Sequence, residues 1–306
     1  MFLDPERDLS ITVLMQSGPD KSGAGHPQPP PNQPPAAENL PDRVIHQITA
    51  KLHDGHAKDA ARLFIEAHHR GVVPKGPQLL QWMLATLGRD DSTKLMAAFT
   101  HFPCVCCKGG LEPCEACGGQ GVRSEGPFCE TCAGLGMARC EFCDGAGLAT
   151  YSFFPEELWL PIIVERSHLA IHQLSLIIQQ PIPRISDPAA EQNHAHLILN
   201  LNKLIGLLEN AVTTAQEVAH HDSHQETLNR IIHSSNHAAA LATQYLRQSI
   251  RSLAAAIRQA AKSLPPDSAE AQFRESRAGF YDSLSHSVAF EGTCLHHPFL
   301  DLKLEK

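Results

Sequence analysis

Apolar residues recur every three or four positions in two parts of the chain, which lie on either side of a segment without that periodicity. In the first part, residues 42–101, Val44, Ile48 and Leu52 share one face of a predicted helix. The sequence HDG ends this helix, and further amphipathic stretches follow it. The pattern predicts a small helical unit with short helices over residues 44–52, 57–65, 78–87 and 92–99.

The second periodic part, residues 151–287, predicts longer helices. Leucine and isoleucine repeat there at helical spacing, and prolines interrupt the pattern at Pro181, Pro183 and Pro188. Long helices with short connections form a bundle, so the predicted fold class is mainly α-helical, with residues 288–306 left as a C-terminal tail. The predicted helices of the bundle lie near residues 155–180, 189–221, 223–263 and 268–287.

The N-terminal segment differs in composition from both helical parts. Residues 16–41 contain eight prolines and few apolar side chains. Such a segment buries too little surface to offset the entropy lost on ordering. Residues 1–41 are therefore predicted to be a disordered, proline-rich tail or linker.

Charge and hydropathy indicate which partners and which cellular location the protein is expected to have. The net charge is −8 and is spread along the chain, which disfavours nucleic acid and anionic membranes as main partners. The N-terminus lacks the basic and apolar parts of a secretory signal, and the most apolar later stretch, residues 169–183, is too short to span a bilayer. We therefore expect a cytoplasmic protein, in which clustered cysteines are typical of metal or redox sites rather than disulfides.

Nine of the ten cysteines lie within forty residues, and eight of them form C-x-x-C pairs followed by glycines. Two residues between cysteines let both sulfurs reach one ion about 2.3 Å away, and the glycines let the backbone turn through positive φ. Three pairs match C-x-x-C-x-G-x-G fully, whereas the first keeps Gly109 but has Leu111 where the last glycine belongs. The pairs are Cys104/Cys107, Cys114/Cys117, Cys129/Cys132 and Cys140/Cys143.

The segment that holds these pairs, residues 102–150, has no apolar core of its own. It contains ten of the twenty glycines and only a few large apolar side chains. Metal binding must therefore supply its folding free energy. Eight thiolates predict two closed, tetrahedral four-sulfur sites, which are structural rather than catalytic. Such sites suit zinc or iron–sulfur chemistry, and we predict two Zn²⁺ ions.

The four repeats resemble the cysteine-rich zinc domain of the DnaJ (Hsp40) co-chaperones. The resemblance implies one zinc site made by the first and fourth pairs, Cys104, Cys107, Cys140 and Cys143, and a second made by Cys114, Cys117, Cys129 and Cys132. It also implies an extended pair of β-hairpins. The chain has no His-Pro-Asp tripeptide, so the J-domain loop that stimulates Hsp70 is missing, and an Hsp70 partner is left open.

Residues 54–75 resemble the second helix and final turn of a pentatricopeptide or tetratricopeptide repeat, and the stretch 41–75 has the 35-residue length of one such repeat. This leaves RNA binding as an alternative. Charge weakens it, because residues 102–150 carry three basic and six acidic side chains, and a zinc ion with four thiolates adds a charge of about −2.

Several other side chains are candidates for chemistry. Cys106 is interpreted as a spare thiol, and the alternative that it replaces Cys104 or Cys107 as a ligand is left open. Cys294, beside His296 and His297, is interpreted as part of an ordinary tail. Histidines four residues apart, and Glu-x-x-His pairs, raise the alternative of a second kind of metal site in the helices. These are His168/His172, His220/His224, His233/His237, Glu165/His168 and Glu217/His220.

The sequence favours a non-enzymatic zinc-binding factor that interacts with other polypeptides. By resemblance, the zinc module would bind unfolded or assembling polypeptides through apolar hairpin tips. A second hypothesis makes the module a rigid spacer in a helical scaffold, and thiol–disulfide exchange is a further alternative. The residues expected at the hairpin tips are Leu111, Val122, Phe128, Leu135 and Met137.

Overall fold

The computed structural model describes residues 40–121, 129–132, 134, 136–143, 145–219, 225–287, 290–291 and 294–295. The described chain is mainly α-helical, which confirms the predicted class. Its α-helices are α1 (Leu40–His53), α2 (Ala57–His69), α3 (Leu79–Thr100), α4 (Trp159–Ile178), α5 (Pro188–Ala219), α6 (Gln225–Lys262) and α7 (Ala269–Ser287). Its strands are β1 (Leu111–Pro113), β2 (Met137–Arg139), β3 (Phe290–Glu291) and β4 (Cys294–Leu295).

The helices follow the predicted segments closely, and the domain boundaries drawn from them stay a prediction. The proline-rich tail lies outside the described residues except at positions 40 and 41. The expected C-terminal tail contains the short antiparallel pair β3–β4, in which Phe290 is opposite Leu295. The remainder of that tail, including His296 and His297, lies outside the described residues.

A single glycine divides α3 into the two helices that the sequence predicts. Gly88 has φ +77° and ψ 170°, outside the helical region, and such a φ favours glycine. The Ser92 hydroxyl donates a hydrogen bond to the Met83 carbonyl at 3.1 Å. Nine residues span about 13 Å along a straight helix, so this contact requires the chain to bend sharply at Gly88.

The first hydrophobic core joins the N-terminal helices to the rest of the protein. The Phe64 ring packs edge-on against Phe99 with centroids 5.5 Å apart, and Phe99 packs against Phe154 at 5.9 Å. Ala215 near the end of α5 and Leu228 near the start of α6 are buried in the same core. The N-terminal helices and the bundle are therefore packed together.

The helices α5, α6 and α7 form an antiparallel arrangement. A His194 ring nitrogen near the start of α5 lies 2.8 Å from the Ser249 carbonyl oxygen in the second half of α6. Arg258 of α6 forms ion pairs with Asp282 and with Glu275 of α7, the latter at 3.4 Å. The second hydrophobic core lies between α4, α5, α6 and α7.

The cysteine-rich segment, residues 102–150, is a small module anchored at both of its ends. Pro103 and Leu148 form an antiparallel bridge, and the Ala149 amide donates a hydrogen bond to the Phe102 carbonyl at 2.9 Å. Phe102 and Ala149 belong to the first core, whereas Ala146 belongs to the second. The two ends of the module are therefore held side by side and packed on both cores.

Inside the module, β1 and β2 pair antiparallel with Glu112 opposite Ala138. The described residues contain this single two-stranded ribbon where the resemblance implies two β-hairpins. The loop of residues 122–128 lies outside the described part of the chain.

Arg166 of α4 ties the module to the end of α3. Its side chain is buried, and it donates hydrogen bonds to the carbonyls of Thr100 at 3.0 Å, Ala149 at 2.8 Å and Phe99 at 3.4 Å. The guanidinium also lies 5.1 Å from the centre of the Tyr151 ring. Thr100 and Phe99 lie at the negative end of α3, where the last carbonyls have no partner within the helix. The Phe99 carbonyl also accepts a hydrogen bond from the Phe102 amide at 3.1 Å, and the planar guanidinium has enough donors to bond all three oxygens.

None of the described helices has the length and apolar character that crossing a membrane requires.

Replacing Arg166 with methionine should lower the free energy of unfolding by about 2–4 kcal/mol, because it leaves buried carbonyls without donors. Urea unfolding followed by circular dichroism measures this loss. The matched control is Arg184→Met, at an exposed position between α4 and α5, for which we expect a change within about 0.5 kcal/mol. Equal stabilities of the two variants would contradict the role assigned to Arg166.

Candidate metal centres

The structure brings eight cysteine sulfurs together in two groups of four. Within each group all sulfurs lie within 4.8 Å of one another. The grouping joins the first pair to the fourth and nests the second and third pairs between them. The first tetrad is Cys104, Cys107, Cys140 and Cys143, and the second tetrad is Cys114, Cys117, Cys129 and Cys132.

The distances between sulfurs fit a tetrahedral metal site. Four sulfurs at about 2.3 Å from a zinc ion are about 3.8 Å from one another. Cys107 Sγ and Cys143 Sγ are 3.6 Å apart in the first tetrad. In the second tetrad, Cys114 and Cys129 are 3.9 Å apart and Cys117 and Cys132 3.8 Å apart, between sulfurs. Each tetrad can therefore hold one metal ion, in agreement with the predicted two Zn²⁺. Four sulfurs fill all four coordination positions of a tetrahedral ion, so none is left for a substrate.

Backbone amides of the glycines donate to the sulfurs. The amide that follows each pair approaches the second cysteine of that pair, and these hydrogen bonds stabilise negative charge on sulfur. The donor–acceptor pairs are Gly121 with Cys117 at 3.2 Å, Gly136 with Cys132 at 3.2 Å and Gly147 with Cys143 at 3.3 Å.

The four repeats are related by an approximate internal symmetry. In each tetrad the first cysteine of one pair donates its backbone N–H to a glycine carbonyl of the other pair. The hydrogen bonds are Cys104 to Gly147 (3.1 Å), Cys140 to Gly110 (2.9 Å), Cys114 to Gly136 (2.9 Å) and Cys129 to Gly121 (2.8 Å). We call each C-x-x-C turn with its glycines a knuckle.

This symmetry corrects the sequence interpretation of the first knuckle. Gly110, rather than Leu111, has the role of the last glycine, because the first repeat is one residue shorter after Cys107. A Cβ atom on Gly110 would lie 2.0 Å from the Gly145 carbonyl oxygen, whereas a Cβ atom on Gly109 would meet nothing within 4 Å. Leu111 instead begins β1.

Electrostatics show why a tetrad needs a cation. Burial is the largest effect on Cys132 and raises its pKa to about 12, and burial raises the pKa of Cys107 to about 11. Burial also acts to raise the pKa of Cys129, but hydrogen bonds from the backbone and thiol of Cys132 outweigh it and lower this pKa to about 6. Without metal, the Cys107 and Cys132 thiols therefore keep their protons at neutral pH. Metal binding must release these protons, and it weakens as the pH falls.

The spare thiol of the module lies outside both tetrads. Cys106 is exposed, and its backbone N–H donates to Cys104 Sγ at 3.4 Å. The structure thus places Cys104 and Cys107 in the tetrad and leaves the Cys106 thiol at the surface.

Among the described residues, two groups of three or more potential metal ligands come together, and these are the two cysteine tetrads. No described histidine belongs to such a group. His168 and His172 on α4, and His233 and His237 on α6, are exposed. His220 and His224, which complete two of the predicted pairs, lie outside the described part of the chain.

The described residues among those expected at hairpin tips lie on strands instead. Leu111 and Met137 lie on the paired strands and are half-buried, while Val122, Phe128 and Leu135 are outside the described residues. Instead, Val105 and Phe142, on the two knuckles of the first tetrad, are exposed. The sequence interpretation did not assign a role to either position.

Comparison with known protein families, with curated proteins and with solved structures finds no match to this chain. The two tetrads fit a zinc-finger-like module on their own geometry. That these eight cysteines are the ligands, and that the module is of the DnaJ type, stay predictions.

Native mass spectrometry of the purified protein should find two zinc ions per chain. Thiol titration under native conditions should detect Cys106 and at most Cys294, and removal of metal by a chelator should make eight further thiols reactive. One ion or none, with freely reactive thiols in the untreated protein, would rule out the two closed sites.

Replacing Gly110 with alanine should loosen the first tetrad, because the new methyl group would overlap the Gly145 carbonyl. The matched control is Gly109→Ala, which also has positive φ but open space, and which should cost about 1 kcal/mol. The measurement is the rate of zinc transfer to a colorimetric chelator. Gly110→Ala should release one of the two ions faster than the control, and equal rates would contradict the close-packing role of Gly110.

Proposed function

We propose that the protein is a non-enzymatic, zinc-stabilised factor that binds unfolded or assembling polypeptides. The observation that carries the proposal is the closed geometry of both tetrads, each with four sulfurs at distances that fit a tetrahedron. Sites with a full set of protein ligands are structural. The ions therefore shape a surface rather than activate a substrate.

The similarity of the repeats to the DnaJ zinc domain supports polypeptide binding as the use of that surface. Four knuckles with matched glycines and two nested tetrads are the features that the chain shares with that family. The proposal does not include stimulation of Hsp70, because the chain lacks the J-domain tripeptide. It places the protein in the cytoplasm, with polypeptide clients and without a nucleic-acid or membrane partner.

Exposed apolar side chains also favour this function. Five large apolar residues are strongly exposed in the described chain, and two of them belong to the module. The module is short of apolar residues, so a metal-held fold that leaves two of them in solvent is suited to contacts with other chains. The five residues are Leu40, Val105, Phe142, Leu176 and Leu241.

A second candidate function is that of a rigid spacer within a helical scaffold. The hydrogen bonds of Arg166 and the packing of Phe102 and Ala146 on different cores favour it. In that case the module fixes the helices, and partners bind elsewhere. Thiol–disulfide exchange and RNA binding are less favoured, because ligation occupies the paired cysteines and the module is acidic.

The test is suppression of aggregation of heat-unfolded citrate synthase, followed by light scattering. The intact protein should suppress aggregation at equimolar concentration, and the Cys129→Ser/Cys132→Ser variant should not. Cys106→Ser, which changes an exposed cysteine outside the tetrads, is the matched control and should act as the intact protein does.

The spacer hypothesis makes the opposite prediction for the same experiment. The intact protein would then show no suppression, and the tetrad variant would lose helical stability in thermal unfolding followed by circular dichroism. If both the intact protein and the tetrad variant suppressed aggregation, the metal module would not be needed for polypeptide binding, and the proposal would be overturned.

A further inference from the structure

The internal symmetry of the module allows its two tetrads to be compared position by position. The two residues between the cysteines of each knuckle are not ligands. In the first tetrad these are Val105 and Cys106 on one knuckle and Glu141 and Phe142 on the other. The equivalent residues of the second tetrad are Glu115, Ala116, Glu130 and Thr131.

The comparison shows that the fold does not require apolar residues at these positions. Glu115 stands where the first tetrad has Val105, and Thr131 stands where it has Phe142. Val105 is 57 % exposed and Phe142 is 48 % exposed, so neither is explained by burial in a core. A single exposed apolar residue is ordinary, but these two flank the same tetrad.

The charges around the first tetrad indicate what kind of chain would bind there. The Glu112 carboxylate interacts with the Cys140 sulfur, and Glu141 is exposed next to Phe142. A zinc ion held by four thiolates adds a charge of about −2. Lys108, which follows the ligand Cys107 directly, is a positively charged side chain in this part of the described structure, and it is exposed. The balance of these charges is negative.

We propose that the first tetrad, through Val105 and Phe142, is where the module binds its polypeptide, and that it selects an apolar segment flanked by basic residues. The two apolar side chains supply contact area, and the surrounding negative charge favours lysine or arginine on either side of the segment. The second tetrad, with glutamate and threonine on its knuckles, has a supporting role. This inference rests on the proposed function and specifies its surface and its ligand.

Fluorescent peptides with one apolar core and different flanks test the ligand. Fluorescence anisotropy with the full chain should show that a lysine-flanked peptide binds tighter than a serine-flanked one, and a glutamate-flanked peptide weakest. The preference should shrink as salt is added. Equal affinities for the lysine- and glutamate-flanked peptides would overturn the charge selection.

A double variant tests the surface. Val105→Thr/Phe142→Thr keeps the charge and introduces, at position 142, the residue that the second tetrad has there. It should weaken binding of the lysine-flanked peptide by about tenfold while retaining two zinc ions by native mass spectrometry. The control is Leu176→Gln/Leu241→Gln, which removes exposed apolar side chains from α4 and α6 and should leave binding unchanged.

The exposed Cys106 thiol gives an independent readout at the same surface. Saturating lysine-flanked peptide should slow its alkylation by a maleimide, measured by peptide mapping, because Cys106 lies between Val105 and a ligand of the tetrad. Unchanged alkylation together with unchanged affinity of the Val105/Phe142 variant would overturn the inference. If the intact protein still suppressed aggregation in that case, it would bind polypeptides as proposed, but through a surface other than Val105 and Phe142. If it neither suppressed aggregation nor bound any peptide, the proposed function itself would fail.

Discussion

A buried guanidinium joins three backbone carbonyls at the place where the chain enters and leaves the metal module. Arg166 bonds Thr100 and Phe99 at the end of α3 and Ala149 after the last knuckle. These oxygens are buried, so each needs a donor from the protein. One side chain thereby fixes a helix end, the final segment of the module and the start of the bundle relative to one another.

The module and the helical body are stabilised by different physical effects. The helices bury apolar faces in two cores, whereas the tetrads rely on sulfur ligands, on amides directed at those sulfurs and on glycines that allow close backbone contact. A module built in this way has little need for apolar side chains. Where it carries them in solvent, as at Val105 and Phe142, their presence calls for an explanation outside folding.

Much of this architecture could be predicted from sequence, because helical periodicity and paired cysteines are local signals. The break at Gly88 was also visible as a gap between two apolar stretches. The register of the first knuckle was not, since only the contact between Gly110 and the distant Gly145 shows which glycine is equivalent to the others. Arg166 was missed as well, although it lies on the apolar stripe of α4 with Ile162 and Ala170. A cation on such a stripe is the signal that reveals a buried polar anchor.

The nesting of one tetrad inside the other has a consequence for the order in which the module assembles. Cys114 and Cys129 are 15 residues apart, whereas Cys107 and Cys143 are 36 apart. Closing the longer loop in an unfolded chain costs about 0.8 kcal/mol more in conformational entropy. Once the inner loop is closed, however, the outer cysteines are separated by a much shorter flexible path. Closing the inner tetrad therefore costs less conformational entropy than closing the outer one, and it shortens the loop that the outer tetrad must close.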